Sequence, residues 1–206
     1  MPDTFPVLLD GYTDLPPGRI ANVVTFLERT EAPGNVAEPA SSFRVRLVEQ
    51  PPLGWFRDLY RRIGENWLWF SHLVMPEADL AALIAAPTTR ILAVASGDSD
   101  VGLAEIDFTV AGDAEIVTFG VVPEAMGSGA AQALMTATLA AAFRPGVRRV
   151  WLHTCTFDHP GAVRFYRRAG FSAYKFAIEV SEDPRASGAL PLSAAPHVPL
   201  LAPLPR

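Results

Sequence analysis

Hydrophobic positions along the 206-residue chain change period several times, and each change marks an element. Residues 21–28 (ANVVTFLE) are apolar and β-branched, as a strand requires. Residues 43–48 (FRVRLV) alternate apolar and polar, the pattern of a half-exposed strand. From Leu53 the period lengthens. Leu53, Phe56, Leu59 or Tyr60, and Ile63 recur at helical spacing, with Arg57, Asp58, Arg61 and Arg62 on the other face. Gly64 breaks that helix, and residues 66–75 (NWLWFSHLVM) form an aromatic-heavy patch, read as helix–helix packing with one or two rings shared with a substrate pocket. Pro76 then opens a short helix over 77–86 that Pro87 stops.

The second half reads as a meander followed by alternation. A strand at 91–95, a turn at 97–100, a strand at 101–110, a turn at 111–113 and a strand at 115–122 predict three antiparallel neighbours. Helix 129–143, strand 149–156, helix 160–169 and strand 171–180 follow. The expected fold is therefore α/β, a mixed and mostly antiparallel sheet with helices packed on both faces. Prolines support this partition: eight of 19 fall in residues 1–52 and six in 181–206, leaving the middle free for regular hydrogen bonding. Residues 1–18 read as an extended lead-in, 31–42 as a loop, and 181–206 as a Pro-rich strap on the surface of a single domain spanning 1–180.

Charge and composition narrow the classes. A net charge of −5 argues against nucleic-acid binding and is compatible with a cationic substrate. No apolar run is long enough for a membrane span, the N-terminus lacks a signal-peptide pattern, and the single Cys155 fits a reducing compartment, so a cytoplasmic protein is expected. Residues 153–159 hold His153, Cys155, Asp158 and His159, but their spacing lacks the paired ligands of common zinc sites, so no metal is expected. A Cys–His nucleophile pair is a remote alternative, and a buried Cys155 beside a hydrogen-bonded His153 the favoured one.

Candidate chemistry concentrates in residues 114–171. A strand runs into a turn with Pro123, Gly127 and Gly129, and a helix follows; amides there face the positive end of the helix dipole, a place to hold phosphates. The turn is neither a P-loop nor a dinucleotide fingerprint. Val121-Val122-Pro123 followed by Met126-Gly127-Ser128-Gly129-Ala130-Ala131 resembles the Val-x-Pro and [Q/R]-x-x-G-x-[G/A] segments of the GNAT (GCN5-related N-acetyltransferase) superfamily. Met126 replaces the usual Gln or Arg, and Ser128 stands where a basic residue is common. The segment HPGAVRFYRRAGF, with His159, Ala162, Tyr166, Gly170 and Phe171, resembles the superfamily's second signature, His159 replacing Asn.

The resemblance, which covers residues 91–180, implies acetyl-CoA as co-substrate and a primary amine as acceptor. It implies that Gly127 to Ala131 hold the pyrophosphate, that Phe119, Val121 and Val122 offer main-chain groups to the pantetheine arm, that Met126 and Ala162 also contact the cofactor, and that His159 caps the last helix near the thioester. One N–H of the 119–122 segment would stabilise the developing oxyanion. Tyr166 takes the position of the proton donor to the departing thiolate. The base stays open among Glu115, Glu105, Asp107 and an ordered water. Glu115 is read as sharing a strand face with Val117 and Phe119, and Glu105 with Asp107 on the next strand. The alternative reading is a CoA-binding regulatory or catalytically weak module, and the final strand and tail are candidate homodimer surfaces.

Overall fold

The computed structural model describes residues 7–8, 10–34 and 43–201. Strands run over Arg19–Arg29 (β1), Phe43–Leu47 (β2), Thr89–Ser96 (β3), Ser99–Asp107 (β4), Asp113–Val121 (β5), Arg149–Cys155 (β6) and Ser172–Glu182 (β7). Helices run over Leu53–Gly64 (α1), Ser71–Val74 (α2), Glu77–Ile84 (α3), Ala130–Ala142 (α4) and Ala162–Arg168 (α5). Part of the expected lead-in, residues 35–42 of the expected loop and residues 202–206 of the tail lie outside the described residues.

The seven strands form one sheet in the order β2-β3-β4-β5-β6-β1-β7, antiparallel everywhere except between β5 and β6. The expected mixed sheet with helices on both faces is what forms. The meander β3-β4-β5 arises from turns where Gly97 and Gly112 adopt positive φ, which glycine does without steric cost. β4 ends at Asp107, three residues before the expected end, because Asp107 caps the turn by accepting hydrogen bonds from the Thr109 N–H and hydroxyl. The aromatic patch is not a helix pair. It is a 3₁₀ turn at Glu65–Trp67, a left-handed Leu68 (φ 58°) and the single turn α2.

One pairing carries no local signal. β1, from the N-terminal region, inserts between β6 and β7, with Val24 opposite both Cys155 and Ala177. The core packs on both sides of the sheet. Phe56, Leu59 and Ile63 of α1 are buried against β4 and β5, and Leu134, Met135 and Leu139 of α4 are buried with β3 and β4. Each such side chain contributes about 1.5–3 kcal/mol of transfer free energy.

β5 and β6 pair only from Asp113–Arg149 to Ile116–Leu152, and beyond that point no pairing joins them. This divergence opens the sheet. In the same place a bulge at Val117 shifts the β4–β5 register, so that Glu105 faces Thr118 while Ile106 faces Ile116. Ile63 and Trp69 lie over Gly120 on one face, where an added Cβ would come within 2.5 Å of Ile63 Cγ2. Phe165 and Tyr166 of α5 lie against Phe119 on the other face.

Residues 183–201 wind across the end of the sheet. Arg185 is their hub, almost wholly buried. It donates to both carboxylate oxygens of Asp183 (3.0 and 2.8 Å) and to the carbonyls of Ala194, Ala195, Val198 and Pro199. Leu190, Ala194, Ala195 and Val198 form a small cluster with Ile20 and Leu68, against Phe70 and Phe157. No helix among the described residues is long and apolar enough to cross a membrane.

Candidate active site

The diverging strands open onto a cavity of about 590 Å³ that passes between the two faces of the sheet. On the α5 side it is lined by Phe119, Val121, Met126, Gly127, Ala131, Ala162, Phe165 and Tyr166. On the α2 side it is lined by Trp67, Trp69, Phe70, His72, Asn22, His153, Cys155 and Glu179, with Asp158 and His159 on the connecting loop. Of the residues singled out in sequence, Phe119, Val121, Met126, Gly127, Ala131, His159, Ala162 and Tyr166 reach this cavity. Val122, Ser128, Gly129 and Ala130 sit in the adjoining turn, outside its lining.

That turn is built as an anion cradle. Gly127 (φ 76°) and Gly129 (φ 98°) hold left-handed conformations that bend the chain into α4. The turn ties itself together through Met126 N–H to the Pro123 carbonyl, Ser128 N–H and hydroxyl to the Ala125 carbonyl, and Ala130 N–H to the Ser128 hydroxyl. The N–H groups of Gly127, Gly129, Ala131 and Gln132 make no bond to the described chain. Four backbone donors thus face outward at the N-terminus of a 13-residue helix, where the helix dipole favours an anion. Met126 and Ser128 carry no cation to assist, and the Ser128 hydroxyl is committed within the turn.

Tyr166 is buried by α5, packed edge-on against Phe119, Phe165 and Phe171, and reaches the cavity. Burial, with the negative Asp158 nearby, pushes its phenol well above the usual tyrosine range, so it is protonated at neutral pH. Asp158 is pinned by the Trp69 indole N–H (3.0 Å), the Thr154 hydroxyl (2.6 Å) and the Cys155 N–H (3.0 Å). Burial, with Asp158 beside it, pushes the Cys155 thiol up to about 11. A thiol raised by burial weighs against the Cys–His nucleophile reading. His153 and Cys155 do share a strand face, yet no group of three or more His, Cys, Asp or Glu side chains among the described residues is arranged to hold a metal. His159 accepts the Gly161 N–H through Nδ1 (2.9 Å), ordering the entry to α5, and meets Trp67 edge-on.

The candidate bases fall differently from expectation. Opposed residues share a face, so the register puts Glu105, Asp107, Glu115 and Thr118 together on the α2 side, away from Phe119. The expectation that Glu115 shares a face with Phe119 is corrected by the bulge at Val117, which reverses the alternation between them. Neither Glu105 nor Glu115 lines the cavity. Glu105 is buried and accepts the Thr118 hydroxyl (3.0 Å), and its carboxylate lies 3.1 Å from His72 Nε2, within ion-pair distance but off hydrogen-bond alignment. His72, Ser71 and Tyr60 continue the chain at 3.1 Å steps. Glu115 lies 3.8 Å from His153 Nδ1. Burial first, then Asp107 and Glu105, pushes its carboxyl up to about 7.

Sequence reasoning missed Asn22, Glu179 and His72 as parts of the cavity. Asn22 and Glu179 reach it only because β1 inserts beside β7 (Asn22↔Glu179), a pairing without local pattern. The aromatic run at 66–75 was read as sharing one or two rings with a pocket; Trp67, Trp69 and Phe70 all line it, and His72 lies in the same run.

Comparison with known proteins agrees with this geometry. No curated protein matches the chain. A GCN5-related N-acetyltransferase from Sphaerobacter thermophilus superposes with a TM-score of 0.55 at 20% identity, over 79% of this chain and 52% of that one. A tandem GNAT protein of the clavulanic acid biosynthesis pathway gives 0.53 at 17%, over 79% and 53%. A soil-metagenome aminoglycoside acetyltransferase solved with trehalose gives 0.52 at 18%, over 62% and 86%. The chain thus spans about half the length of the first two. These likenesses establish a shared fold. The profile of the acetyltransferase (GNAT) family matches residues 49–171, which contain the diverging strands, the anion cradle and the Tyr166 helix. By that match, over more than half its length, the chain belongs to the GNAT acetyltransferase family.

Proposed function

We propose that the chain is an N-acetyltransferase that moves an acetyl group from acetyl-CoA to a primary amine by direct attack. One observation carries the reading: four N–H groups at the start of α4, unbonded among the described residues, and a buried phenol adjoin one cavity, at the point where β5 and β6 separate. The N–H groups of Gly127, Gly129, Ala131 and Gln132 suit the pyrophosphate of CoA. The edge of β5 over Phe119–Val121, unpaired on the β6 side, suits an extended pantetheine arm. Acetyl-CoA would supply the activated acyl group as a thioester; the chain binds, orients and moves protons.

Tyr166 is the proton donor to the departing thiolate, a role that its raised pKa and cavity position support. Among the carboxylates Glu115 fits the base best, because a carboxyl titrating near 7 can accept a proton at physiological pH. It stands behind the wall, so the amine's proton reaches it through His153 or a bound water. Glu105 is committed to Thr118 and His72 and is the weaker candidate.

The test is thiol release from acetyl-CoA across a panel of amines by wild type and Tyr166→Phe. Removing a general acid lowers kcat about 10²-fold or more with little change in the KM for acetyl-CoA. Equal turnover of wild type and variant at all pH values would remove Tyr166 from the mechanism.

A further inference from the structure

We infer that Asn22 and Glu179 form the acceptor's recognition site, and that it takes an amino group carried on a flat apolar body, an arylalkylamine being the simplest case. This rests on the acyl-transfer reading and names the acceptor class for that cavity.

Asn22 is 6% exposed and lines the cavity. Its Nδ2 donates to Glu179 Oε2 at 3.0 Å. A carboxylate only accepts, so that bond fixes the amide's orientation and leaves Oδ1 as the free end. Oδ1 is buried and has no partner among the described residues. A buried carbonyl oxygen without a donor costs about 1–3 kcal/mol, and native proteins keep such groups chiefly where a ligand or water supplies the missing bond. What fits Oδ1 is an N–H or O–H donor. The neighbouring Glu179 carboxylate chooses the charged or chargeable one, an amine, over an alcohol or an acid.

The rest of this half agrees in sign and shape. Asp158 adds a second negative charge on the wall, whereas the cations lining the cavity, Arg164 and Arg168, both belong to α5 on the cofactor side. Trp67, Phe70 and Phe157 supply flat apolar walls, which hold an aromatic body well and let a nearby ammonium rest on a ring face. Asn22 comes from the inserted strand β1 and Glu179 from its neighbour β7, so the site depends on that strand order.

The experiment is thermal unfolding of the full chain with saturating CoA, then with added tryptamine, tryptophol or indolepropionate. These share one ring and differ in the terminal group. Tryptamine should raise Tm beyond CoA alone, tryptophol less, and indolepropionate not at all. Asn22→Leu, which keeps the branched shape but offers no acceptor oxygen, should weaken the tryptamine effect about tenfold in apparent Kd, the loss of one hydrogen bond to a charged group. Glu179→Gln, at an exposed position, should weaken it while leaving the CoA shift intact. Stabilisation by CoA with none from tryptamine, or an equal tryptamine response in both variants, overturns the inference and leaves the acyl-transfer reading standing. No stabilisation by CoA sinks that reading; a tryptamine shift abolished by Asn22→Leu would still support the amine site.

Discussion

Glu115 shows how far a single side chain can be read, and where reading stops. Its presence near the start of the motif strand is visible in sequence; its facing is not, because one extra residue at Val117 reverses the alternation. The consequence is measurable. A carboxyl raised from 4.5 to about 7 binds its proton more tightly in the folded state than in the unfolded one. Its contribution to stability is therefore fully present below the unfolded value and is lost as pH rises through about 7. Glu115→Gln should flatten the fall in Tm between pH 5 and 8 and should be the more stable protein at the upper end. If Glu115 is the base, the same variant also loses the ionisation near 7 from its kcat/KM profile, which a merely structural carboxylate would not alter. Thermal melts across pH and a pH–rate profile check both outcomes.

At the scale of elements, most of the fold was legible. Apolar alternation located β3, β4 and β5, and helical spacing located α1 with its buried Phe56, Leu59 and Ile63. Gly127 and Gly129 announced the cradle because their positive φ is a local demand of the turn. Gly129→Val would force a β-branched residue into a left-handed conformation, reshaping the donors rather than the core. The expectation is a rise in the KM for acetyl-CoA of about tenfold or more, with kcat less affected. Gly120 tests the roof: an added Cβ there meets Ile63 and Trp69, so Gly120→Ala should destabilise by about 1–3 kcal/mol and disturb the Trp69–Asp158 bond. Denaturant melts and steady-state kinetics separate the two cases. The insertion of β1 between β6 and β7 was not legible, since residues about 120 to 160 apart must meet before their pairing has any effect. Asn22 and Glu179 stayed hidden for that reason alone.

Across the whole molecule, the tail after β7 closes the structure around one buried ion pair. Its Pro and Leu content predicted a strap, but nothing local marked Arg185 as the hub. Burial alone would raise the Asp183 carboxyl; the side-chain and backbone bonds from Arg185 outweigh it and hold the group below the usual range. Asp183 thus stabilises above the ordinary carboxylate pKa and loses that contribution as pH falls through its folded value. Arg185→Ala strands a buried carboxylate and several carbonyls, and should cost about 3–5 kcal/mol by denaturant unfolding. It should also loosen Phe70 and Phe157, which the tail packs against and which line the acceptor half of the cavity, raising the KM for amine more than that for acetyl-CoA.

These scales meet in one claim, that the opening between β5 and β6 joins an anion cradle to a proton donor for acyl transfer. The most direct test incubates the purified chain with acetyl-CoA and each of a panel of primary amines, tryptamine among them, at pH 8 and follows free thiol together with acetylated amine by mass spectrometry. Thiol and N-acetyl product should appear in equal amounts, saturating in both substrates, and fall about 10²-fold in Tyr166→Phe. Thiol release that is unaffected by amine, or no release alongside no binding of any acyl-CoA, would contradict it.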